Sequence, residues 1–112
     1  MKILLRRDER IIKEGEAELQ KNIHMVVGRL FLTTQRFLFI AHRYNFRGGI
    51  AEVELSSIQS IEKCWTKLLG FIPIFPNSLA VCTRQGKEYR FVLYKRSAWI
   101  AVLESQKIVA IT

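Results

Sequence analysis

Gly28-Arg29-Leu30-Phe31-Leu32-Thr33-Thr34-Gln35-Arg36-Phe37-Leu38-Phe39-Ile40 is the stretch that decides the fold. Two short runs of Leu, Phe and Ile are separated by four polar residues, Thr33 to Arg36. Each run is too short for a globular helix and rich in strand formers, so the pair reads as a β-hairpin. The stretch contains no catalytic group.

Working outward, the same strand signal recurs on both sides. Residues 1–12 are charged and mixed, with Asp8 near a frayed N-terminus. Lys13 to Gln20 alternates weakly and is expected to be a first, exposed strand, closed by a turn at Lys21-Asn22. His24 to Thr33 and Arg36 to Arg43 form the hairpin, and Asn45-Phe46-Arg47-Gly48-Gly49 is a turn because Asn and Gly tolerate positive φ. Ile50 to Leu55 alternates Ala51, Val53 and Leu55 against Glu52 and Glu54, the pattern of a half-buried antiparallel strand. Further strands are expected over 58–67, 78–83 and 87–95, with an apolar, proline-bearing loop at 68–77 and a turn at Gln85-Gly86. From Ser97 to Lys107 the period changes: Trp99, Val102, Leu103 and Gln106 recur at helical spacing, Ser97 is the expected N-cap, and Lys107 suits the C-terminal end. About seven short strands followed by one amphipathic helix require antiparallel neighbours in a bent sheet, two packed sheets or a barrel with a helix over one end.

A chain of 112 residues, 49% of them apolar, is long enough for one domain with a real core. No apolar run reaches the roughly 18–20 residues of a membrane span, and no signal-peptide pattern is present. Eighteen Lys and Arg against ten Asp and Glu give a net charge of +8, which favours an anionic partner. The basic residues are dispersed rather than gathered in the block that marks a nucleic-acid tail. Cys64 and Cys82 lack metal-like spacing and read as small apolar residues in a reducing compartment. If they lie on neighbouring strands, a disulfide is open to them. There is no phosphate-binding glycine loop, no metal spacing and no nucleophile context, so neither enzyme activity nor a cofactor is expected.

The hairpin from Gly28 to Ile40, together with Val53-Glu54-Leu55-Ser56-Ser57-Ile58, Pro76-Asn77-Ser78-Leu79, Gly86-Lys87-Glu88-Tyr89-Arg90-Phe91 and Trp99, resembles GRAM domains, members of the pleckstrin-homology (PH) superfold. The likeness runs over about 13–105. It implies a mainly β architecture: a partly open barrel of about seven antiparallel strands capped by one C-terminal helix, as a single domain over 1–112 with its core at about 13–107. It also implies a binding module at membranes or on proteins rather than an enzyme. The pattern of phosphoinositide-binding PH relatives, with several Lys or Arg around the first hairpin, is not met here, since Lys13 and Lys21 stand among Glu14, Glu16 and Glu18.

The sharpest functional candidate is the segment around residues 68–76. Pro73 and Pro76 each remove a ladder donor and argue for a loop. A surface loop carrying Leu68, Leu69, Phe71, Ile72, Ile74 and Phe75 would expose an apolar patch, the usual mark of a partner or a membrane. Lys63 and Lys67 stand just before it, and Trp65 between them is a candidate interfacial aromatic. The same loop would alternatively fold over the barrel, or bind a protein partner or a second copy of the chain. Arg29 and Arg36 are anion-site candidates beside a structural role. His24 and His42 read as strand-surface residues, and Trp99, Phe31, Phe37, Phe39, Tyr89 and Phe91 as core. The expected partner is an anionic phospholipid surface or a protein, not nucleic acid. The expected location is the cytoplasm, peripherally at a membrane.

Overall fold

The structure, a computed structural model, describes residues 3–21, 24–43, 50–68, 72–106 and 111–112. Among them are β1 (Ile11–Lys21), β2 (His24–Thr33), β3 (Arg36–Ala41), β4 (Ile50–Glu54), a 3-10 turn (Leu55–Ser57), β5 (Ile58–Leu68), β6 (Ile72–Thr83), β7 (Glu88–Leu93) and α1 (Arg96–Ser105). The strands make one sheet in the order β4-β3-β2-β1-β7-β6-β5, every pairing antiparallel. Two meanders, β1–β4 and β5–β7, are joined where Ala17 to Gln20 of β1 meet Leu93 to Arg90 of β7. The edge strands β4 and β5 follow each other in the chain through the 3-10 turn, and the sheet curls into a half-barrel.

Alternation fills its concave side. Ala17 and Leu19, Leu30 and Leu32, Phe37 and Phe39, Val53, Ile61, Leu79 and Val81, and Phe91 and Leu93 form one buried cluster with Trp99 and Leu103 of α1. The Phe91 ring lies 6.2 Å from Phe37 and 6.1 Å from Phe39. Trp99 is 2% exposed and plugs the end of the half-barrel against Gly15, with the Lys13 ammonium 5.1 Å above its ring. Gly28 is required where β2 crosses β3: a Cβ there would sit 2.4 Å from the Ile40 carbonyl oxygen and 2.9 Å from the Ala41 Cα.

The structure corrects several expectations. β1 is a central strand, not an exposed one, because β7 pairs along its other side. The segment expected to be a loop is largely ladder: β5 runs on to Leu68 and β6 begins at Ile72, with Lys67 opposite Pro73 and Leu68 opposite Ile72. The prolines are tolerated because β7 joins β6 only from Ser78 onward, so the earlier part of β6 has one neighbour, and because Pro76 lies in the register shift between Cys64–Ser78 and Thr66–Phe75. The helix begins at Arg96 behind Lys95, whose φ is 55°, rather than behind a Ser97 cap. Phe31 belongs to the opposite face from Phe37 and Phe39, in a small cluster with Leu38 and Ile40 covered by Ile3. The expected turn at 45–49 and Lys107 lie outside the described residues.

Residues 3–10 are likewise not frayed. They form a strap held by a buried ion pair, in which Arg36 Nε donates to Glu9 Oε2 at 2.8 Å and Nη2 to Glu9 Oε1 at 3.1 Å. The Thr33 hydroxyl donates to the same carboxylate at 2.6 Å, and Arg36 Nη2 also reaches the Leu4 carbonyl at 3.0 Å. These donors, the Arg36 guanidinium above all, lower the Glu9 carboxyl to about 2 from its ordinary 4.5. Arg6 of the strap bonds Glu52 and Glu54 on β4, which holds the Glu54 carboxyl below its ordinary range.

Candidate functional site

Large apolar side chains reach solvent at several places, Leu4, Val27 and Ile50 among them, and the far end of the β5–β6 hairpin carries three, Trp65, Ile72 and Phe75. Lys63 and Trp65 alternate with Cys64 and so leave one side of β5. Lys63 is exposed and Trp65 is 49% exposed. Across the ladder, Phe75 lies opposite Thr66 and is 59% exposed; Ile72 is 40% exposed. Tyr94, at the end of β7, is 81% exposed. Of the remaining residues expected here, Lys67, Leu68 and Ile74 lie within the two strands, and Leu69 and Phe71 lie outside the described residues.

Polar side chains fix this bulged end. The buried Thr66 hydroxyl bonds the Asn77 amide oxygen and pairs with the Ser78 hydroxyl at 2.7 Å. Arg96 Nη1 bridges the strands, donating to the Cys64 carbonyl at 3.0 Å and the Ser78 carbonyl at 3.2 Å. Arg90 Nη1 reaches the Trp65 carbonyl at 3.3 Å. A register shift weakens a ladder, and these bonds secure the two strands where the exposed aromatics stand. The outer edge of β5 is covered next to the site, since Ile111 bridges Ile61 in parallel and the Lys63 amide donates to the Thr112 carbonyl at 3.0 Å.

Beside the aromatics an open groove of about 500 Å³ runs between β6 and the start of α1. Pro76 and Asn77 line one side and Tyr94, Lys95, Arg96 and Ser97 the other, with Leu93 and Ile100 supplying apolar wall. Lys95 and Arg96 stand side by side among dispersed basic residues, and nothing in that local pattern indicates the groove. The available signal was Tyr94, an aromatic among Glu88, Arg90 and Val92 on the face of β7 opposite Tyr89, Phe91 and Leu93.

The two arginines of the opening hairpin are engaged elsewhere. Arg29 donates to Glu14 at 2.9 Å and Glu16 at 3.4 Å across β1 and β2. Arg36 is buried on Glu9 and also bonds Glu52 at 3.0 Å. His42 is not isolated from carboxylates, because its Nε2 lies 2.7 Å from Glu16 Oε1. That contact, with Arg29 beside it, holds the Glu16 carboxyl below its ordinary range. Cys64 and Cys82 sit on neighbouring strands opposite Ser78 and Ser60, not opposite each other.

This curled sheet with its terminal helix places the chain among PH-like folds. It superposes on the Vps36 N-terminal PH domain with a TM-score of 0.65 at 18% identity, covering 94% of this chain and 82% of that one. The C-terminal domain of an unknown protein from Leishmania infantum gives a TM-score of 0.67 at 16% identity, covering 88% and 84%. The hSac2 domain from human phosphoinositide phosphatase Sac2 gives 0.60 at 12% identity, covering 93% and 71%. Within that class the chain belongs to the GRAM domain family, whose model matches residues 1–106. No curated protein sequence matches it. Domains of this kind are typically lipid- or protein-binding modules and generally non-catalytic. Among the described residues no helix is long and apolar enough to cross a membrane.

Proposed function

We propose that this domain is a non-enzymatic module that docks peripherally on an anionic phospholipid surface, at the cytoplasmic face of a membrane, through the far end of β5 and β6. The observation that carries the reading is the exposure of Trp65, Ile72 and Phe75 at one end of the fold, next to Lys63 and Tyr94. A fully buried large apolar side chain contributes roughly 1.5–3 kcal/mol. Partial burial of three such anchors therefore supplies about 2–4 kcal/mol, and each lysine near an anionic surface about 1 kcal/mol. The sum corresponds to weak, reversible attachment, with Kd on the order of 0.1–1 mM for one domain. Lys67 belongs to the same proposed contact by position. Arg29 and Arg36, tied to glutamates, are given a structural role in this reading.

Flotation with vesicles of phosphatidylcholine plus phosphatidylserine tests it against phosphatidylcholine alone. Binding only to the anionic vesicles, greatly reduced in Phe75→Asp, is the expected result. Phe75 is exposed, so the variant keeps its fold, and equal flotation of variant and parent would refute the contact. A second reading rests on the same exposed aromatics, namely that they meet a protein partner or a second copy of the chain. A concentration-dependent sedimentation coefficient, lost in Phe75→Asp, with no flotation would favour self-association.

A further inference from the structure

Among the described residues no carboxylate pairs with Arg96. Its Nη1 is committed to two neutral carbonyls, those of Cys64 and Ser78. A guanidinium offers five N–H donors, so those on Nε and Nη2 remain. Arg6, Arg29, Arg36 and Arg90 each pair with a carboxylate, whereas among the described residues none pairs with Arg96 or with the adjoining Lys95. Arg96 is half-buried, and burying a charge without a counter-charge is costly. Both cations line the groove of about 500 Å³, whose lining also includes Ser97 and Asn77 and, among the described residues, no acidic side chain. The groove adjoins the exposed aromatic end through Pro76 and Tyr94.

We propose that this groove is a subsite for a phosphate group, presented by a phospholipid headgroup while the neighbouring aromatics enter the bilayer. The assignment rests on the membrane-docking reading above and gives it a polar anchor. Phosphate oxygens accept from the Lys95 ammonium, from the remaining Arg96 donors and from Ser97. Tyr94 and Ile100 pack beside the headgroup. A soluble phosphate monoester has the same chemistry without the membrane.

The test uses Lys95→Gly, which removes the cation at a position whose φ of 55° glycine adopts without strain; a thermal melt checks that the fold is kept. Flotation on phosphatidylserine vesicles is measured for parent, Lys95→Gly and Phe75→Asp, and backbone amide shifts are followed as glycerol 3-phosphate is added, with glycerol as control. The proposal predicts about fivefold weaker flotation for Lys95→Gly, as loss of roughly 1 kcal/mol implies, and shifts confined to 76–77 and 94–97. Flotation lost in Phe75→Asp yet unchanged in Lys95→Gly, with no shifts in the groove, would overturn the subsite and leave the docking reading standing. Groove shifts with glycerol 3-phosphate but no flotation of the parent would keep the phosphate site, assign it to a soluble ligand and end the membrane reading. Shifts elsewhere, or equal shifts with glycerol, would overturn the site.

Discussion

Substituting Gly28 by alanine offers a direct measure of how closely β2 and β3 are locked together. The new Cβ would stand 2.4 Å from the Ile40 carbonyl oxygen, 2.6 Å from the Phe39 ring and 2.9 Å from the Ala41 Cα. Carbon–oxygen contacts between strands lie at about 3.3–3.6 Å, so the strands must part by roughly 0.9 Å. The ring can turn aside, but the carbonyl and Cα belong to the partner backbone and cannot. Overpacking costs typically 1–3 kcal/mol, and a backbone clash places this variant at the top of that range, about 3 kcal/mol. For a domain of this size that is a fall in Tm of about 12 °C or more. Gly15→Ala is the matched control: its Cβ would meet only Trp99 Cζ2, at an ordinary 3.5 Å. There, reduced unfolded-state entropy offsets any loss, and a change within about 1 kcal/mol is expected. Urea unfolding followed by fluorescence reads both variants, with the shift in midpoint giving the difference in stability. Equal midpoints for Gly28→Ala and the parent would refute the argument.

Other consequences can be checked the same way. The Glu9 carboxyl titrates at about 2 in the folded protein against an ordinary 4.5, so its contribution is present above the ordinary value and lost as pH falls toward 2. An acid limb between about pH 5 and 2 is therefore expected in a stability-versus-pH series, and Glu9→Gln should flatten it. That variant also leaves Arg36 without its main partner, a cost of about 3 kcal/mol, the low end for a broken buried pair because Glu52 still faces it. Trp99→Ala empties the plug of the half-barrel and should cost about 3–5 kcal/mol in urea unfolding; a change under 1 kcal/mol would mean that α1 is not part of the cooperative unit.

The sequence was most readable where one face of a strand is buried and the other wet. Ala51, Val53 and Leu55 against Glu52 and Glu54, and Tyr89, Phe91 and Leu93 against Glu88 and Arg90, leave a single register that keeps the core dry. Trp99 and Leu103 did the same for the helix. The strap was not readable, because Ile3 and Glu9 are defined by partners on β2 and β3 that local periodicity cannot indicate. For the same reason Phe31 looked like a member of the main core: both faces of β2 and β3 are buried there, and a continuous apolar run carries no phase. At the proposed site, Trp65, Ile72 and Phe75 could be named as candidates from residue type alone. Their prolines were misread because tolerance of Pro73 and Pro76 depends on where β7 stops pairing with β6. The groove depends on how β6, β7 and α1 converge, which no short segment encodes.

The placement of β1 between β2 and β7 has a consequence for biosynthesis. Ala17 is matched to Leu93 and Gln20 to Arg90, so on the ribosome one edge of β1 waits, unpaired, until β7, about 70 residues later, has emerged. A nascent hairpin sheet with an open edge is exposed to pairing with other chains. Glu14, Glu16 and Glu18 then project from that waiting strand on one face. Arg29 of β2 engages Glu14 and Glu16 once the hairpin forms, yet three carboxylates against one guanidinium leave that face net negative, which disfavours an identical strand laid alongside until β7 arrives.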